Sequence, residues 1–207
     1  FAVHRIYYVG QNYAKHALEM GANPEREAPF FFCKPADAVC PEGTKLPFPL
    51  ATENLHHEIE LVVAIGKKGT RILASEALDH VFGYAVGLDL TRRDLQGEAK
   101  KKGRPWTTAK GFDHSAPCSA VHPVCEVGHM EQGKITLSVN GELRQQGDIS
   151  DMIWFVPEVI SSLSGFFELY PGDLIYTGTP VGVSPLKRGD RLEGEVENLT
   201  RLNIVIV

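Results

Sequence analysis

The chain has 207 residues, of which 43% are hydrophobic and 23% charged, and its formal net charge at pH 7 is −5. This length and composition predict one globular domain over residues 1–207. An acidic balance disfavours binding to nucleic acid or to anionic membranes, because both need an excess of basic side chains. No apolar run approaches the roughly 18 residues of a membrane span, so we expect no membrane insertion.

The predicted elements alternate between strands and a few short helices. In chain order they are a strand at 3–9, a helix at 11–20, strands at 29–33, 58–66 and 82–90, a helix at 91–102, a strand at 134–140, a helix at 156–167, and strands at 173–178, 191–197 and 201–207. Turn signals lie at Asn140-Gly141, Pro171-Gly172-Asp173 and Gly189-Asp190. The pattern predicts a β-rich α/β fold.

The four cysteines are Cys33, Cys40, Cys118 and Cys125. None forms a Cys-x-x-Cys pair, which disfavours a zinc site of the usual spacing. We expect free, mostly buried thiols, and these favour a cytoplasmic location. The first residue is Phe1, so any targeting segment would precede this sequence.

Residues 57–66 carry two acids within a strongly apolar strand. Alternate residues of a strand share a face, so one face is uniformly aliphatic and the other begins with Glu58 and Glu60. Two carboxylates on one face repel each other unless a cation lies between them. The alternative is that both acids simply face solvent.

The next strand, at 82–90, favours the cation. Its polar-side face consists of the small residues Gly83, Ala85 and Gly87 followed by Asp89, and small residues permit a close approach of a ligand or backbone. Three carboxylates are hard oxygen ligands, which suit Mg²⁺, Mn²⁺ or Ca²⁺. The neighbouring His56 and His57 are interpreted as packing or supporting groups.

Several short motifs resemble those of the fumarylacetoacetate hydrolase family, in the same order along nearly the whole chain. They are 9–16 (VGQNYAKH), 32–35 (FCKP), 57–61 (HEIEL), 83–84 (GY), 88–91 (LDLT), 93–96 (RDLQ), 110–113 (KGFD), 139–142 (VNGE), 171–173 (PGD) and 177–183 (TGTPVGV). The stretch at 100–106 and the residues 143–145 fit the small acylpyruvate hydrolase branch. The resemblance implies a rolled mixed β-sheet with a few short helices, and a homodimer.

The resemblance also implies the site residues. Glu58, Glu60 and Asp89 would bind the metal, commonly Mg²⁺ in the family. His16 and Glu19, three residues apart on one helix face, would activate water. The remaining assignments are Lys110 as a charge-stabilising group, Gln96 and Thr179 as substrate contacts, and Lys34 as a weaker contact or supporting group. Gln11 departs from the arginine that many relatives have after the first motif glycine, which puts that charge contact in doubt.

The activity implied is hydrolysis of a small 2-oxo acid, an acylpyruvate, to pyruvate and a carboxylic acid. Oxaloacetate decarboxylation or tautomerisation, and decarboxylation or isomerisation of catechol-pathway dienoates, stay open as alternatives within the family. A metal-dependent nuclease would use similar acids, but the acidic net charge opposes it. A catalytically silent binding module is disfavoured by the retained acids, lysine and His/Glu pair. The basic run at 100–104 is interpreted as a solvated helix end or a lid.

Overall fold

A computed structural model describes residues 2–21 and 27–207. The strands are β1 Ile6–Val9, β2 Phe31–Lys34, β3 Val39–Pro41, β4 Lys45–Leu46, β5 Leu55–His56, β6 Ile59–Ile65, β7 Val81–Leu88, β8 Thr91–Arg92, β9 Ala116–Cys118, β10 His122–Pro123, β11 Lys134–Val139, β12 Glu142–Asp148, β13 Leu174–Tyr176, β14 Arg191–Val196 and β15 Leu202–Ile206. The helices are α1 Ala14–Glu19, α2 Arg93–Lys101, α3 Thr107–Lys110, α4 Val124–Val127 and α5 Val156–Ser164, with 3₁₀ turns at Ala36–Ala38, Ala74–His80 and Ile149–Asp151.

The strands form two main sheets. The larger has the order β2-β1-β13-β6-β7-β9-β3, with β10 on β7, and the smaller has the order β12-β11-β14-β15-β4. The pairs β1–β13 and β3–β9 are parallel, whereas β13–β6 and β6–β7 are antiparallel, so the larger sheet is mixed. The short pair β5–β8 stands apart. The predicted β-rich α/β fold with a few short helices is confirmed.

Strand β6 is buried on both faces. Its predicted aliphatic face, Ile59, Leu61, Val63 and Ile65, joins a core shared with the smaller sheet and α5. On the opposite face, Val62 and Ala64 pack in a second cluster with Tyr8 and Tyr176. A central strand covered on both sides holds its register firmly, because a one-residue slip would exchange the two faces. Glu58 and Glu60 are themselves buried, so the alternative that they face solvent is wrong.

The predicted helices are longer than those observed. Helix 11–20 shortens to α1, helix 156–167 to α5, and the first two residues predicted for helix 91–102 form β8. The sequence analysis did not predict the polar strand β12, although it predicted the turn at Asn140-Gly141 that precedes it. Both turn residues have positive φ, 53° and 81°, as a tight hairpin turn requires.

The cysteines are all free, but only Cys40 and Cys118 are buried. The expectation of mostly buried thiols is wrong for Cys33 and Cys125, which are exposed on β2 and α4. No helix in the described ranges is long and apolar enough to cross a membrane.

Candidate active site

The pairing of β6 with β7 brings the three predicted metal ligands together. Ile59 pairs with Leu88 and Glu60 with Gly87, and the Asp89 amide donates to the Glu58 carbonyl oxygen at 2.9 Å. The side chains of Glu58, Glu60 and Asp89 are buried, and each offers a carboxylate oxygen within 4.8 Å of the others. Their convergence follows directly from strand alternation and register.

The small residues of β7 serve packing, not ligand access. A Cβ at Gly87 would lie 2.3 Å from the Tyr176 ring and 2.5 Å from Val62 Cγ2, and one at Gly83 would lie 2.1 Å from the His122 carbonyl oxygen. The sequence allowed small residues here to admit either a ligand or another part of the chain, and the structure shows the second.

Glu58 and Asp89 have cationic partners, whereas Glu60 has none in the described part of the chain. Glu60 accepts a hydrogen bond from the Gly178 amide at 2.7 Å. Burial, then repulsion from Asp89 and Glu58, raises the pKa of Glu60 well above its ordinary value. Burial would also raise the pKa of Glu58, but Lys110 and Arg93 outweigh it and hold that pKa well below its ordinary value. An uncompensated carboxylate in a buried oxygen cluster fits a divalent cation.

Lys110 lies between two of these carboxylates. Its Nζ donates to Asp89 Oδ2 at 2.5 Å, to Glu58 Oε2 at 2.9 Å and to Thr91 Oγ1 at 2.7 Å. Burial lowers its pKa, but the charges of Asp89 and Glu58 outweigh this and raise the pKa above its ordinary value. The neighbouring acids therefore hold the ammonium in its charged form.

Arg93 is one of the site residues that the sequence analysis missed, although it opens the matched motif 93–96. Its guanidinium contacts Glu58 through Nη2 and donates from Nη1 to Gln96 Oε1 at 2.6 Å. The two residues are three apart on α2 and so share one face of the helix. That spacing could have identified Arg93 as the residue that orients Gln96.

Lys34 lies behind the acids and does not line the cavity. Its Nζ is 2.7 Å from Asp89 Oδ1, and it donates to the carbonyl oxygens of Leu90 at 2.9 Å and Ser115 at 2.6 Å. Complete burial lowers the pKa of Lys34 to about 8, although the Asp89 charge opposes the shift. Of the two assignments open for Lys34, a weaker substrate contact or a supporting group, this placement favours the supporting group.

His16 and Glu19 form the expected pair on α1. His16 Nδ1 lies 3.0 Å from Glu19 Oε2, and Glu19 Oε1 accepts from the Gly182 amide at 3.1 Å. His16 is buried and lines the same cavity as Glu58, Glu60 and Asp89. Because Nδ1 faces the carboxylate, Nε2 is the ring nitrogen available to accept a proton.

Thr179 and Gln96 also line this cavity, together with Lys110 and Gln11. The Thr179 hydroxyl accepts a hydrogen bond from Gln145 Nε2 at 2.9 Å. Gln145 is fully buried, because a bulge between Leu137 and Ser138 shifts the β11–β12 register and turns this polar side chain inward. Sequence reasoning did not predict the bulge, so it missed Gln145.

His57 behaves as the predicted supporting group. It is buried, with Nδ1 2.8 Å from Gln145 Oε1 and Nε2 2.8 Å from Ser184 Oγ. Burial lowers its pKa, in spite of the opposing bond to Gln145. A neutral His57 therefore fixes Gln145 and, through it, Thr179.

Three buried carboxylates that could hold a divalent ion line one cavity with His16, which is paired with Glu19. This set of groups is typical of a metal-dependent enzyme site. The sequence matches the fumarylacetoacetate (FAA) hydrolase C-terminal family over residues 5–207. The chain belongs to this family, and the fold expected from the resemblance is confirmed.

Relatives named for oxaloacetate tautomerisation and relatives named for fumarylpyruvate hydrolysis are both similar to the chain over most of its length. It is 45% identical over 201 residues to the mitochondrial oxaloacetate tautomerase of Homo sapiens, covering 97% of this chain and 90% of the relative. It is 43% identical over 180 residues to a fumarylpyruvate hydrolase of Ralstonia sp., covering 87% and 93% respectively.

A solved structure has nearly the same backbone. The fumarylpyruvate hydrolase from Pseudomonas aeruginosa in complex with Mn²⁺ and pyruvate is 54% identical, with a TM-score of 0.98, and the match covers 100% of this chain and 91% of that one. The Mn²⁺ of that structure and the acidic triad of this chain together indicate a divalent metal.

Proposed function

We propose that the protein is a divalent-metal-dependent acylpyruvate hydrolase. It cleaves the C3–C4 bond of substrates of the acetylpyruvate or fumarylpyruvate type and releases pyruvate and a carboxylic acid. The observation that carries this proposal is His16, paired with Glu19, in the same cavity as Glu58, Glu60 and Asp89. The similarity to two fumarylpyruvate hydrolases supports it.

The three carboxylates would hold the ion. When bound there, a divalent cation supplies a Lewis acid for the 1-carboxylate and 2-oxo group of the substrate. Lys110 and Arg93 neutralise Glu58, and Lys34 and Lys110 neutralise Asp89. Glu60, which has no cationic partner among the described residues, is therefore the carboxylate whose charge the ion would balance. We propose Mg²⁺ as the working ion, with Mn²⁺ or Ca²⁺ as substitutes.

His16 acts as the general base. Its Nε2 takes a proton from water, and the water oxygen attacks the substrate 4-carbonyl carbon. Glu19 keeps Nδ1 protonated and stabilises the imidazolium that forms. Collapse of the adduct breaks the C3–C4 bond and releases the carboxylic acid, and the bonding electrons leave with pyruvate as its enolate. The His16 imidazolium then returns its proton to C3 of the enolate.

Lys110 stabilises the negative charge that develops on the enolate oxygen. All three of its N–H groups are occupied by Asp89, Glu58 and Thr91, so one of these bonds must be exchanged for the substrate. Gln96, held by Arg93, and Thr179, held by Gln145, would orient the substrate by hydrogen bonds.

Oxaloacetate tautomerisation or decarboxylation is the second candidate. The observation that favours it is the 45% identity to an oxaloacetate tautomerase over 97% of the chain. Decarboxylation passes through the enolate of pyruvate and tautomerisation through the enolate of oxaloacetate itself, and neither reaction needs attack by water. The dienoate decarboxylase or isomerase reaction is a further variant of the same chemistry.

A substrate panel tests the proposal. Pyruvate release is measured from acetylpyruvate, longer acylpyruvates, fumarylpyruvate and oxaloacetate, each with Mg²⁺ or Mn²⁺, and oxaloacetate tautomerisation is followed by ultraviolet absorbance. The hydrolase proposal expects the highest kcat/KM for an acylpyruvate. A protein that interconverts oxaloacetate tautomers rapidly and leaves acylpyruvates intact would favour the second candidate.

We also propose a cytoplasmic homodimer with no nucleic-acid partner. The free thiols support the location, and family membership supports the dimer. Sedimentation equilibrium that gives a stable, active monomer would overturn the dimer.

A further inference from the structure

A second cavity, of about 450 Å³, opens beside the acid-lined one. It lies between the edge strand β2 and the segment that joins α2 to α3, and it shares Phe30, Phe32, Trp106 and Lys110 with the acid-lined cavity. The proposed reaction leaves this volume unused, because the ion, the water and the 2-oxo acid end all belong among the acids.

Three aromatic rings form the common wall. Trp106 packs edge-on against Phe30 and Phe32, with centroid distances of 5.7 and 5.8 Å. The ring of Phe30 packs directly against Gly10, since a Cβ on that residue would lie 2.0 Å from the ring. Such a wall suits the flat, unsaturated or aliphatic part of an acyl group, because burial of apolar surface against rings is favourable and does not depend on direction.

Two cations stand at this wall without an acidic partner in residues 2–21 and 27–207. Lys100 Nζ lies 5.2 Å from the Trp106 ring centroid and lines the acid-lined cavity, and exposed Arg104 lines the aromatic cavity. The nearby acid, Glu98, is already paired with Lys102. By contrast, Lys34, Lys110 and Arg93 are all committed to the carboxylates of the site.

We propose that the aromatic cavity is the acyl-group subsite, and that Lys100 and Arg104 select acyl groups that end in a carboxylate. This inference rests on the proposed hydrolase function and narrows its substrate class to dicarboxylates. The 1-carboxylate of such a substrate belongs to the metal centre, so its distal carboxylate needs a separate cation. Arginine and lysine beside an aromatic face supply that charge and still accept the apolar chain.

The closing experiment compares two substrates that differ only in the distal group. Fumarylpyruvate carries a terminal carboxylate, and crotonylpyruvate has a methyl group on the same trans double bond. The kcat/KM ratio of the two is measured for the wild type, for Lys100→Gln, Arg104→Gln and their combination, and for Arg104→Lys, which keeps the charge. Lys101→Gln is the matched control, since Lys101 is exposed on the same helix and lines neither cavity.

We expect the wild type to prefer fumarylpyruvate. The double variant should lower the kcat/KM ratio of the two substrates at least tenfold, through a higher KM for fumarylpyruvate. Arg104→Lys should keep part of this preference, and Lys101→Gln should leave it unchanged. Thermal unfolding of each variant verifies that these surface changes leave the fold intact. A ratio that the double variant leaves unchanged, or changes no more than Lys101→Gln does, overturns the subsite. Absence of pyruvate release from both substrates by the wild type would instead overturn the proposed function.

Discussion

Lys110 donates a hydrogen bond to Asp89, with Nζ 2.5 Å from Oδ2, so an ammonium lies against a carboxylate proposed to bind the metal. The same ammonium reaches Glu58. A cation in this place lowers the electrostatic cost of burying the acids before an ion binds. It also lines the cavity in which the proposed reaction would form the enolate.

Replacing Lys110 with Met should therefore affect stability and catalysis separately. Removing one partner of a buried ion pair typically costs about 3–5 kcal/mol, so the metal-free variant should lose about that much unfolding free energy. Saturating Mn²⁺ should recover part of the loss, and kcat should still fall by about 10²–10³. Urea unfolding with and without Mn²⁺, beside Lys101→Met as control, provides the measurement. Equal stability of the metal-free variant and wild type would contradict the account.

Metal binding should release protons. Burial, and then the charges of Asp89 and Glu58, raise the pKa of Glu60 and so favour its protonated form in the metal-free site. A cation that binds through this carboxylate must displace that proton. Affinity should therefore fall with decreasing pH below that pKa, by up to about tenfold per unit. The raised pKa of Glu60 also contributes to the free energy of unfolding of the metal-free protein. This contribution is fully present below the ordinary carboxyl pKa, and it is lost as the pH rises through the pKa of Glu60 in the folded protein.

Calorimetric titration of Mn²⁺ in two buffers of different ionisation enthalpy measures this release, with Glu60→Gln as the variant that should abolish it. Identical apparent enthalpies in both buffers for the wild type would show that Glu60 binds no displaceable proton.

The sequence predicted the acid triad because strand alternation and register decide where those side chains lie. Glu58, Glu60 and Asp89 converge from two strands that their alternation of apolar and other residues predicts. The sequence could not predict Gln145, whose burial depends on a bulge, or the distribution of the buried cations. Lys34 and Lys110 both lie in motifs that resemble the family, but tertiary packing alone turns one behind Asp89 and the other into the cavity.

His16→Ala should separate hydrolysis from decarboxylation. Loss of the general base should lower acylpyruvate hydrolysis by about 10²–10⁴, and oxaloacetate decarboxylation, which releases CO₂ without an attacking water, should change much less. Glu19→Gln should lie between, because the imidazole stays but loses its orienting charge. Kinetics on both substrates, with Lys15→Ala on the same helix as control, decide the matter. Wild-type hydrolysis by His16→Ala would remove the pair from the mechanism.

Gly178 should be needed for the conformation of the loop that holds Glu60. Its φ is 98°, and a Cβ there would lie 2.7 Å from Asn12 Cβ, so Gly178→Ala should cost about 1–3 kcal/mol and weaken metal binding. Gly189→Ala is the matched control, since Gly189 has φ 91° and no atom within 4 Å of its added Cβ. Metal affinity and thermal unfolding are measured for both. Equal metal affinities in the two variants would deny Gly178 this function.

The central claim, that Glu58, Glu60 and Asp89 hold the ion required for pyruvate release, is tested most directly by metal titration of chelator-treated enzyme. Pyruvate release from an acylpyruvate is followed as Mg²⁺ or Mn²⁺ is added, and bound ion is counted per chain, for the wild type and Glu60→Gln. The account predicts that activity vanishes on chelation, returns with one ion per chain, and is not recovered by a folded Glu60→Gln protein at the same ion concentration. Full turnover by the metal-free wild type, or wild-type ion binding and activity in Glu60→Gln, would contradict it.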